Sequence, residues 1–370
     1  MATIPLAITA VRSADLRLQV ITGAMQTRWK TSAQENAGWT PWQAFPTDGL
    51  PAAILNNPNT PINSIAAAQL PTAGGSKPNM GRIQVFACAH DADLLFPPLP
   101  GFYSTMKSSE EPDAPWLPWT DFPLPPDIPL PNLIISANNV AVTPLADGRL
   151  QLWLSVENVR PHGSENTYLS SCVQTAATWD APFGSWETFD LTSNVPGQPV
   201  PFAFINPVAG RMPPQVWVSP TNPMVTSVQS GAVNPADPLS GWGPWNKSPI
   251  PFTPPNPTAH PIPVYATEDG QGRVYLWVTW GSGQTLGAGE NWAVSYSSPN
   301  DATSWSPLAT FPTPEMSLTD QDGLPHNVIS AAPLPSGLLQ VFYLGVSGTV
   351  HTCWQQSSQN PNSWTPWQNF

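Results

Sequence analysis

Tryptophan recurs along this chain at a spacing that could place several indole rings in equivalent positions. A string of the form aromatic-x-x-Trp-x-x-Phe begins at the residues that we call the first aromatic column: Trp39, Trp116, Phe183, Trp242, Trp305 and Trp364. The second aromatic column follows three residues later and comprises Trp42, Trp119, Trp186, Trp245 and Trp367, with Leu308 in the fifth copy. An indole ring has a flat apolar face and one N–H donor, so it can stack on the C–H face of a neutral ring such as a sugar.

The second column is therefore predicted to line sugar pockets, with packing between repeats as the alternative. Residues i and i+3 of a strand point to opposite faces, so the two columns are expected to face different neighbours and the first to be core. Trp29 and Trp354 lie in a Thr- and Ser-rich string upstream and are secondary candidates for sugar contacts. The absence of an indole at Leu308 predicts a weak or absent site in the fifth repeat.

The elements that must hold these aromatics are short strands. Upstream of each copy lies a string such as GRIQVF from Gly81 or LLQVFY from Leu338. One of its positions forms what we call the glutamine column: Gln19, Gln84, Gln151, Gln215, Tyr275 and Gln340. Residues i and i+2 of a strand share a face, and a large apolar residue stands two places after each glutamine. Because five of its six members are glutamine, the column does not vary as residues that bind different ligands would. We therefore expect its side chains to form hydrogen bonds between strands.

Two more strings complete each repeat and give four short strands per unit. Units of about 45–60 residues have the size of propeller blades. We predict an all-β fold, a six-bladed β-propeller of four-stranded antiparallel blades, as one domain over residues 1–370. Three two-repeat domains are the alternative, but no linker of distinct composition separates any pair. The predicted blades span approximately 5–47, 61–124, 132–192, 198–250, 260–313 and 326–370.

Extra length in the second and third repeats lies at 74–80, 96–104 and 156–168. We expect these insertions to be loops, since insertions in repeat proteins decorate one face. They are candidate recognition loops, with tolerated surface variation as the alternative.

Charge and composition restrict the partners. Only 12 residues are Lys or Arg and the formal net charge is −12, which disfavours nucleic acid and anionic membrane surfaces. No apolar run approaches the roughly 18 residues of a membrane span, and the N-terminal residues lack a secretory signal. The protein is thus expected to be soluble, without membrane insertion, and either cytoplasmic or secreted by another route. Cys88, Cys172 and Cys353 form no CxxC pair and are expected to be buried free thiols.

The strings beginning at Gly81 and Gly148, each followed by a W-x-x-W-like segment, resemble the repeats of PLL-type bacterial lectins. The resemblance covers nearly the whole chain, although those lectins typically have seven blades. The chain is also similar to the fungal fucose-binding propeller lectins, which have six blades, and to tectonins. These likenesses imply glycan binding in pockets between neighbouring blades, with fucose or methylated sugars as typical ligands. The fungal lectins use a set of Arg, Glu and Trp in most blades, whereas Arg follows Gly here only at Arg82, Arg149 and Arg273.

The sequence shows no distinctive catalytic motif. A glycosidase needs two carboxylates about 5–10 Å apart, and no repeat holds a distinctive pair. The sequence contains no HExxH, G-x-S-x-G or P-loop motif, so no metal and no cofactor are expected. Ser298 to Trp305 resembles the Asp-box of sialidases, which is a structural turn between the third and fourth strands. We predict a multivalent carbohydrate-binding protein and not an enzyme; a protein-interaction propeller and a sialidase-like glycosidase are the alternatives.

Overall fold

The computed structural model describes residues 7–56, 62–70, 81–89, 101–125, 134–160, 163–189, 214–218, 225–251, 260–281, 292–315 and 328–370. These residues form six small antiparallel sheets that follow one another along the chain. The sheets are the blades of a six-bladed β-propeller, which confirms the predicted fold. In five blades the described strands are neighbours in sequence order, as in a simple meander, whereas in blade 5 both the fourth and the fifth strand pair with the third.

The first three blades have four described strands each. Blade 1 consists of β1 (Ile8–Arg12), β2 (Leu18–Thr22), β3 (Gln26–Trp29) and β4 (Gln43–Ala44), and is followed by the short helix α1 (Ala52–Asn56). Blade 2 consists of β5 (Ile62–Gln69), β6 (Ile83–Ala89), β7 (Gly101–Met106) and β8 (Thr120–Asp121). Blade 3 consists of β9 (Ile134–Pro144), β10 (Leu150–Arg160), β11 (Gly163–Val173) and β12 (Glu187–Phe189).

The last three blades follow the same order. Blade 4 has three described strands, β13 (Gln215–Val218), β14 (Val225–Val228) and β15 (Asn246–Lys247). Blade 5 consists of β16 (His260–Glu268), β17 (Val274–Gly281), β18 (Ala293–Ser298), β19 (Asp301–Trp305) and β20 (Ala309–Thr310). Blade 6 consists of β21 (Ile329–Pro333), β22 (Leu339–Leu344), β23 (Val350–Trp354) and β24 (Gln368–Asn369).

The glutamine column ties the second strand of a blade to the third. Gln19 lies opposite Trp29 in the register of β2 and β3, and its amide nitrogen donates a 3.0 Å hydrogen bond to the hydroxyl of Thr27. That hydroxyl in turn donates to the carbonyl oxygen of Val20 at 2.9 Å. The same amide-to-hydroxyl bond occurs in the pairs Gln151–Ser171 (2.7 Å) and Gln340–Thr352 (3.0 Å). The expected inter-strand role is confirmed for Gln19, Gln151 and Gln340, whereas the buried amide nitrogen of Gln215 has no hydrogen-bond partner among the described residues.

Blade 5 departs from this pattern at both positions of the pair. Tyr275 stands at the position of the glutamine. Val294, which lies opposite Trp277, stands at the position of the hydroxyl residue to which the glutamine donates in blades 1, 3 and 6. The Tyr275 hydroxyl reaches out of its blade instead and accepts a 2.6 Å hydrogen bond from the amide of Gln355 in blade 6. The two substitutions are matched, since an amide without its hydroxyl partner would be left buried and unpaired.

The fourth strands are much shorter than the aromatic strings predicted. In blade 1 the first-column residue Trp39 forms only an isolated bridge to Lys30, and the strand begins after Trp42. Four further isolated bridges place Trp116, Phe183, Trp242 and Trp364 in the same position. The bridge at Phe183 supports its alignment with Trp39 in the third repeat.

Large aromatics fill the interfaces between blades. First-column residues pack edge-on against the second strand of the preceding blade, as Trp242 does on Trp153 with ring centroids 5.2 Å apart. Trp39 makes the same contact with Phe342 of blade 6 at 5.7 Å, which brings the first and last blades together. Aromatic pairs of this kind contribute about 0.5–1.5 kcal/mol beyond the area they bury. The core is therefore a ring of inter-blade contacts, with the first column half-buried within it.

The loop predicted for the insertion at 156–168 is wrong. Strands β10 and β11 extend through it and pair along their length, from Gln151 opposite Val173 to Arg160 opposite Gly163. Residues 156–160 and 163–168 therefore belong to paired strands and not to a loop. Residues 101–104, also expected to be loop, belong to β7. The insertion at 74–80 and residues 96–100 and 161–162 lie outside the described residues.

The remaining structural expectations concern single residues and elements. The three cysteines are buried free thiols in β6, β11 and β23, as predicted. The sialidase-like segment turns at residues 299 and 300, between β18 and β19, where Asn300 has a φ of 56°. Among the described residues, no helix is long and apolar enough to cross a membrane.

Candidate functional site

The second-column tryptophans lie at the blade interfaces and use their indole N–H groups there. Four of them donate to a backbone carbonyl oxygen of the preceding blade, in the pairs Trp119–Pro46 (2.8 Å), Trp186–Pro123 (2.8 Å), Trp367–Pro312 (2.7 Å) and Trp42–Phe370 (3.4 Å). Trp119 is buried, whereas Trp42, Trp186, Trp245 and Trp367 are partly exposed. These contacts show packing between blades for the four donors, and a sugar-binding role for the column stays a prediction.

The two aromatic columns face the same neighbour, so the expectation of opposite faces is wrong. Trp116 and Trp119 both contact Phe45 of blade 1, with ring centroids 4.7 and 6.0 Å away. The segment between the two tryptophans is not strand, because Trp116 forms an isolated bridge and β8 begins only at Thr120. The alternation that would separate residues i and i+3 therefore does not apply.

A cavity of about 220 Å³ lies between blades 1 and 2. It is smaller than the pockets of drug-sized ligands, which measure roughly 300–1,000 Å³. Blade 1 contributes side chains of β2 and β3, and blade 2 contributes the loop between β7 and β8. We call this space the blade 1–2 cavity.

The blade 1 wall joins one aromatic ring to neutral polar groups. Trp29, one of the secondary candidates, lines the cavity and is partly exposed. Gln19 and Thr27 line it beside this ring, and both side chains are buried. Gln43 of β4 adds an exposed amide. An amide and a hydroxyl each supply donors and acceptors, which matches the hydroxyl groups of a sugar.

The blade 2 wall carries a buried lysine. Lys107 is only 6% exposed, and its ammonium donates to the carbonyl oxygen of Pro112 in the same loop. Burial, and after it the charge of Arg17, lowers the pKa of Lys107. Asp113 lies on the exposed side of this wall, and Trp116 is also part of the lining. The wall therefore holds an ammonium group away from water with a carboxylate near its rim.

Arg17 is a site residue that the sequence analysis missed. It lines the cavity, its Nε lies 2.5 Å from Asp15, and its Nη2 lies 3.4 Å from Asp113 of blade 2. Arg82, Arg149 and Arg273 hold the same place before their second strands, but each of them follows a glycine. Arg17 follows Leu16, which has a left-handed φ of 68° and stands where the sequences of blades 2, 3, 5 and 6 have glycine. The pattern Gly-Arg therefore failed to reveal the fourth arginine.

Other blade interfaces fill the corresponding space with their own side chains. In blade 3, Gln151 donates to the carbonyl oxygen of Pro238 at 2.8 Å and accepts from the indole of Trp242 at 3.0 Å, both from blade 4. The guanidinium of Arg82 stacks on Trp179 of blade 3, 3.5 Å from the ring centroid. In the blade 1–2 cavity, by contrast, the described residues of blade 2 make no such contact with Gln19, the member of the glutamine column in blade 1.

Trp354 repeats the arrangement of Trp29 in blade 6. It lies opposite Gln340, whose amide is bonded to Thr352 as Gln19 is bonded to Thr27. Trp354 is partly exposed and packs beside the core cluster of blades 5, 6 and 1. The structure thus brings both secondary candidates to one register position, in different blades.

The innermost strands enclose a second cavity of about 140 Å³. Its described walls come from β1, β5, β9, β16 and β21 and are mostly Ala, Val and Ile side chains. Among the lining residues that the structure describes, Arg12 is the only charged one, and burial lowers its pKa. The described part of the chain also holds no group of three or more potential metal ligands.

Comparison with known proteins gives likeness to solved structures only. No protein-family profile and no curated protein matches the chain. A lectin of Aleuria aurantia in complex with Fucalpha1-6GlcNAc matches with a TM-score of 0.49 and 12% identity, over 98% of this chain and 96% of that one. The NanB sialidase of Streptococcus pneumoniae matches with a TM-score of 0.49 and 10% identity, over 98% of this chain and 67% of that one. An alpha-L-arabinanase of Penicillium chrysogenum, complexed with arabinobiose, matches with a TM-score of 0.46 and 16% identity, over 82% and 79%. Scores and identities this low carry no information about the ligand of this chain.

Proposed function

We propose that this protein is a lectin that binds saccharides in pockets between its blades and has no catalytic activity. The observation that carries the proposal is the blade 1–2 cavity, in which the partly exposed ring of Trp29 lies beside the buried polar side chains of Gln19 and Thr27. An indole face and a set of uncharged donors and acceptors match the two kinds of surface that a sugar presents. For pockets with uncharged walls, we propose neutral sugars such as L-fucose or methylated sugars.

Several weak sites in different blades of one propeller would act together. Trp29 and Trp354 occupy one register position in two different blades, so a second pocket of related chemistry is proposed beside Trp354. Linking two weak sites on one body raises the avidity for a surface with many copies of the ligand by about 10²–10⁴. We therefore propose that the natural ligand is a glycan displayed in many copies.

A glycosidase is the enzymatic alternative, and it makes a different prediction. Glycoside hydrolysis requires two carboxyl groups placed about 5–10 Å apart around the scissile bond. The described lining of the 140 Å³ cavity between the innermost strands contributes one guanidinium, Arg12, and no carboxyl group. Glu268 follows that lining in β16 and is buried, so a Glu268→Gln variant would abolish hydrolysis if this were the active site.

A glycan-array screen of the purified protein, followed by titration with L-fucose, its methylated forms and the free sugars of the glycans that bind, tests the proposal. Binding of the sugar that occupies the blade 1–2 cavity should be saturable and should fall about tenfold with Trp29→Ala, because the stacking face is lost. Met106→Ala is the matched control, since Met106 has the same register in blade 2 and lies outside the cavity lining. A folded protein that binds no saccharide on the array would overturn the proposal, and a search for a polypeptide ligand would follow.

A further inference from the structure

Two cations meet in the blade 1–2 cavity of a chain that is otherwise strongly acidic. Arg17 and Lys107 both line the cavity, and they come from different blades. The whole chain has 12 Lys and Arg against 24 Asp and Glu, so a cavity lined by two cations and one carboxylate, Asp113, departs from the acidic balance of the chain.

Both cations are largely withdrawn from water, and Asp113, the carboxylate that lines the cavity with them, is only a loose partner. The side chain of Arg17 is 15% exposed, and Lys107 is 6% exposed. Asp15 binds Arg17 closely at 2.5 Å, but the second partner, Asp113, is 3.4 Å away and its side chain is 82% exposed. An ion pair with so exposed a member is worth roughly 0–1 kcal/mol, so a ligand carboxylate can replace Asp113 at little cost. Glu110 and Glu111 belong to the same loop but lie outside the cavity lining.

Lysine is not required at this position by the blade fold. The residue that bridges to the first aromatic column is Gln174, Gln229 and Gln355 in blades 3, 4 and 6. Lys30 holds the position in blade 1, where its ammonium donates to the carbonyl oxygen of Glu35 at a different interface. Three blades therefore form the same bridge with a neutral amide, and the charge of Lys107 is available for another role.

We propose that the blade 1–2 cavity selects an acidic saccharide, a hexuronic acid residue whose carboxylate binds between Arg17 and Lys107 while its ring stacks on Trp29. The inference rests on the proposed function and adds the ligand class for this one cavity. The carboxylate forms charge-assisted hydrogen bonds with the guanidinium and ammonium groups, which are roughly twice as strong as neutral ones. The amide of Gln19 and the hydroxyl of Thr27 are bonded to each other, and the amide has a second N–H and an oxygen that can serve the ring hydroxyls.

The test compares glucuronic acid with glucose, and galacturonic acid with galactose, by titration calorimetry of the full-length protein. The uronic acid should bind about tenfold or more tightly than its neutral counterpart at 50 mM salt, and the ratio should shrink at 500 mM salt because added ions screen the pair. Lys107→Gln should reduce the ratio about tenfold. Lys30→Gln is the matched control and should leave the ratio unchanged.

Two further measurements keep the inference open to refutation if Lys107→Gln does not fold. Asp113→Asn removes a competing carboxylate on the surface and should raise the affinity for the uronic acid several-fold. Sulfate alone should not displace the uronic acid at equal concentration, since displacement would mean an anion site without sugar recognition and would overturn the inference. Equal binding of acidic and neutral sugars overturns the inference but leaves the proposed function intact, whereas no saccharide binding removes both.

Discussion

The indole N–H of Trp119 in blade 2 donates a 2.8 Å hydrogen bond to the carbonyl oxygen of Pro46 in blade 1. Proline 46 directly follows Phe45, which ends the aromatic string of its own blade and packs against Trp119 at 6.0 Å. One residue pair thus combines an aromatic contact and a hydrogen bond across the interface. Trp186 and Trp367 repeat the bond with the prolines that follow Phe122 and Phe311.

This relationship predicts the effect of removing only the N–H group. Trp119→Phe keeps an aromatic ring but leaves the carbonyl oxygen of Pro46 without its donor, so the free energy of unfolding should fall by about 1–3 kcal/mol. Urea denaturation followed by circular dichroism measures it. Phe122→Leu in the same blade is a control for ring loss without loss of a donor. A Trp119→Phe variant as stable as the parent would show that the bond contributes nothing.

Leu16 predicts a stabilising substitution. It adopts a φ of 68° and its side chain is 40% exposed, so it carries the strain of the left-handed region without burying much surface. Left-handed geometry costs most residues about 1–2 kcal/mol, and Asn tolerates it better. Leu16→Asn should therefore raise the melting temperature by a few degrees. Gly337→Asn, at a φ of 84° and against the backbone of Gly270, should lower it, and the opposite order would contradict the argument.

The matched replacements in blade 5 predict a coupling between two residues. Tyr275→Gln alone should destabilise the protein, because Val294 offers the new amide no hydroxyl and Gln355 loses one of its hydrogen-bond partners. Adding Val294→Thr should restore part of the loss, since the pair then resembles Gln340 and Thr352. A double-mutant cycle should give a favourable coupling of about 1 kcal/mol, within the range for contacting residues. Strictly additive effects would show that the two positions are independent.

Glu315 predicts a loss of stability in acid. Partial burial acts to raise its pKa, but hydrogen bonds from His351 and Ser347 hold the pKa of Glu315 below its usual value. A carboxyl group with a lowered pKa in the folded state stabilises the protein above its unfolded pKa of about 4.3, and this contribution is lost as the pH falls through the folded pKa. The stability difference between the parent and Glu315→Gln should therefore be present at pH 5 and smaller at pH 3.

Denaturant titrations at the two pH values measure this difference. Glu111→Gln provides the control, because its side chain lies exposed on a loop of blade 2. A gap between the parent and Glu315→Gln that is as large at pH 3 as at pH 5 would contradict the assignment.

The three thiols should be unreactive in the folded protein. Burial raises the pKa of Cys88, Cys172 and Cys353 well above the usual value, and the thiolate is the form that reacts. Ellman's reagent should therefore modify no cysteine rapidly in native protein at pH 8 and all 3 after denaturation. Rapid modification of any one in buffer would show that its blade opens readily.

The fold was predictable because its repeated positions have repeated physical causes. The alternation around Gln84 and Phe86 marks a strand that is buried on both faces, and six copies of it require six sheets. The aromatic string was harder to interpret. Trp39 and Trp42 have the spacing of one strand, but the residues from 40 to 42 are not strand, and both rings contact Phe370 of blade 6. A break of that kind is set by packing against the next blade, which no local pattern records.

The site was predictable only in part. Trp29 could be identified because it is aromatic at a regular position, but Lys107 and Arg17 are brought together by two different blades. Their nearness depends on how the loop of blade 2 rests on blade 1, which is a long-range property. Arg17 also did not match the Gly-Arg pattern, because the residue before it is Leu16, which adopts a backbone conformation that usually requires glycine.

The direction of the tryptophan bonds has a consequence for assembly. Each of the four blades concerned presents a donor to the blade before it, and the bond from Trp42 to Phe370 continues the same direction between blades 1 and 6. The two sides of a blade are thus different and complementary, like the head and tail of one subunit in a cyclic oligomer. A fragment of two or three blades would keep one unsatisfied side of each kind. We expect such fragments to complete the ring by associating with copies of themselves, so that a half-propeller is a dimer in solution.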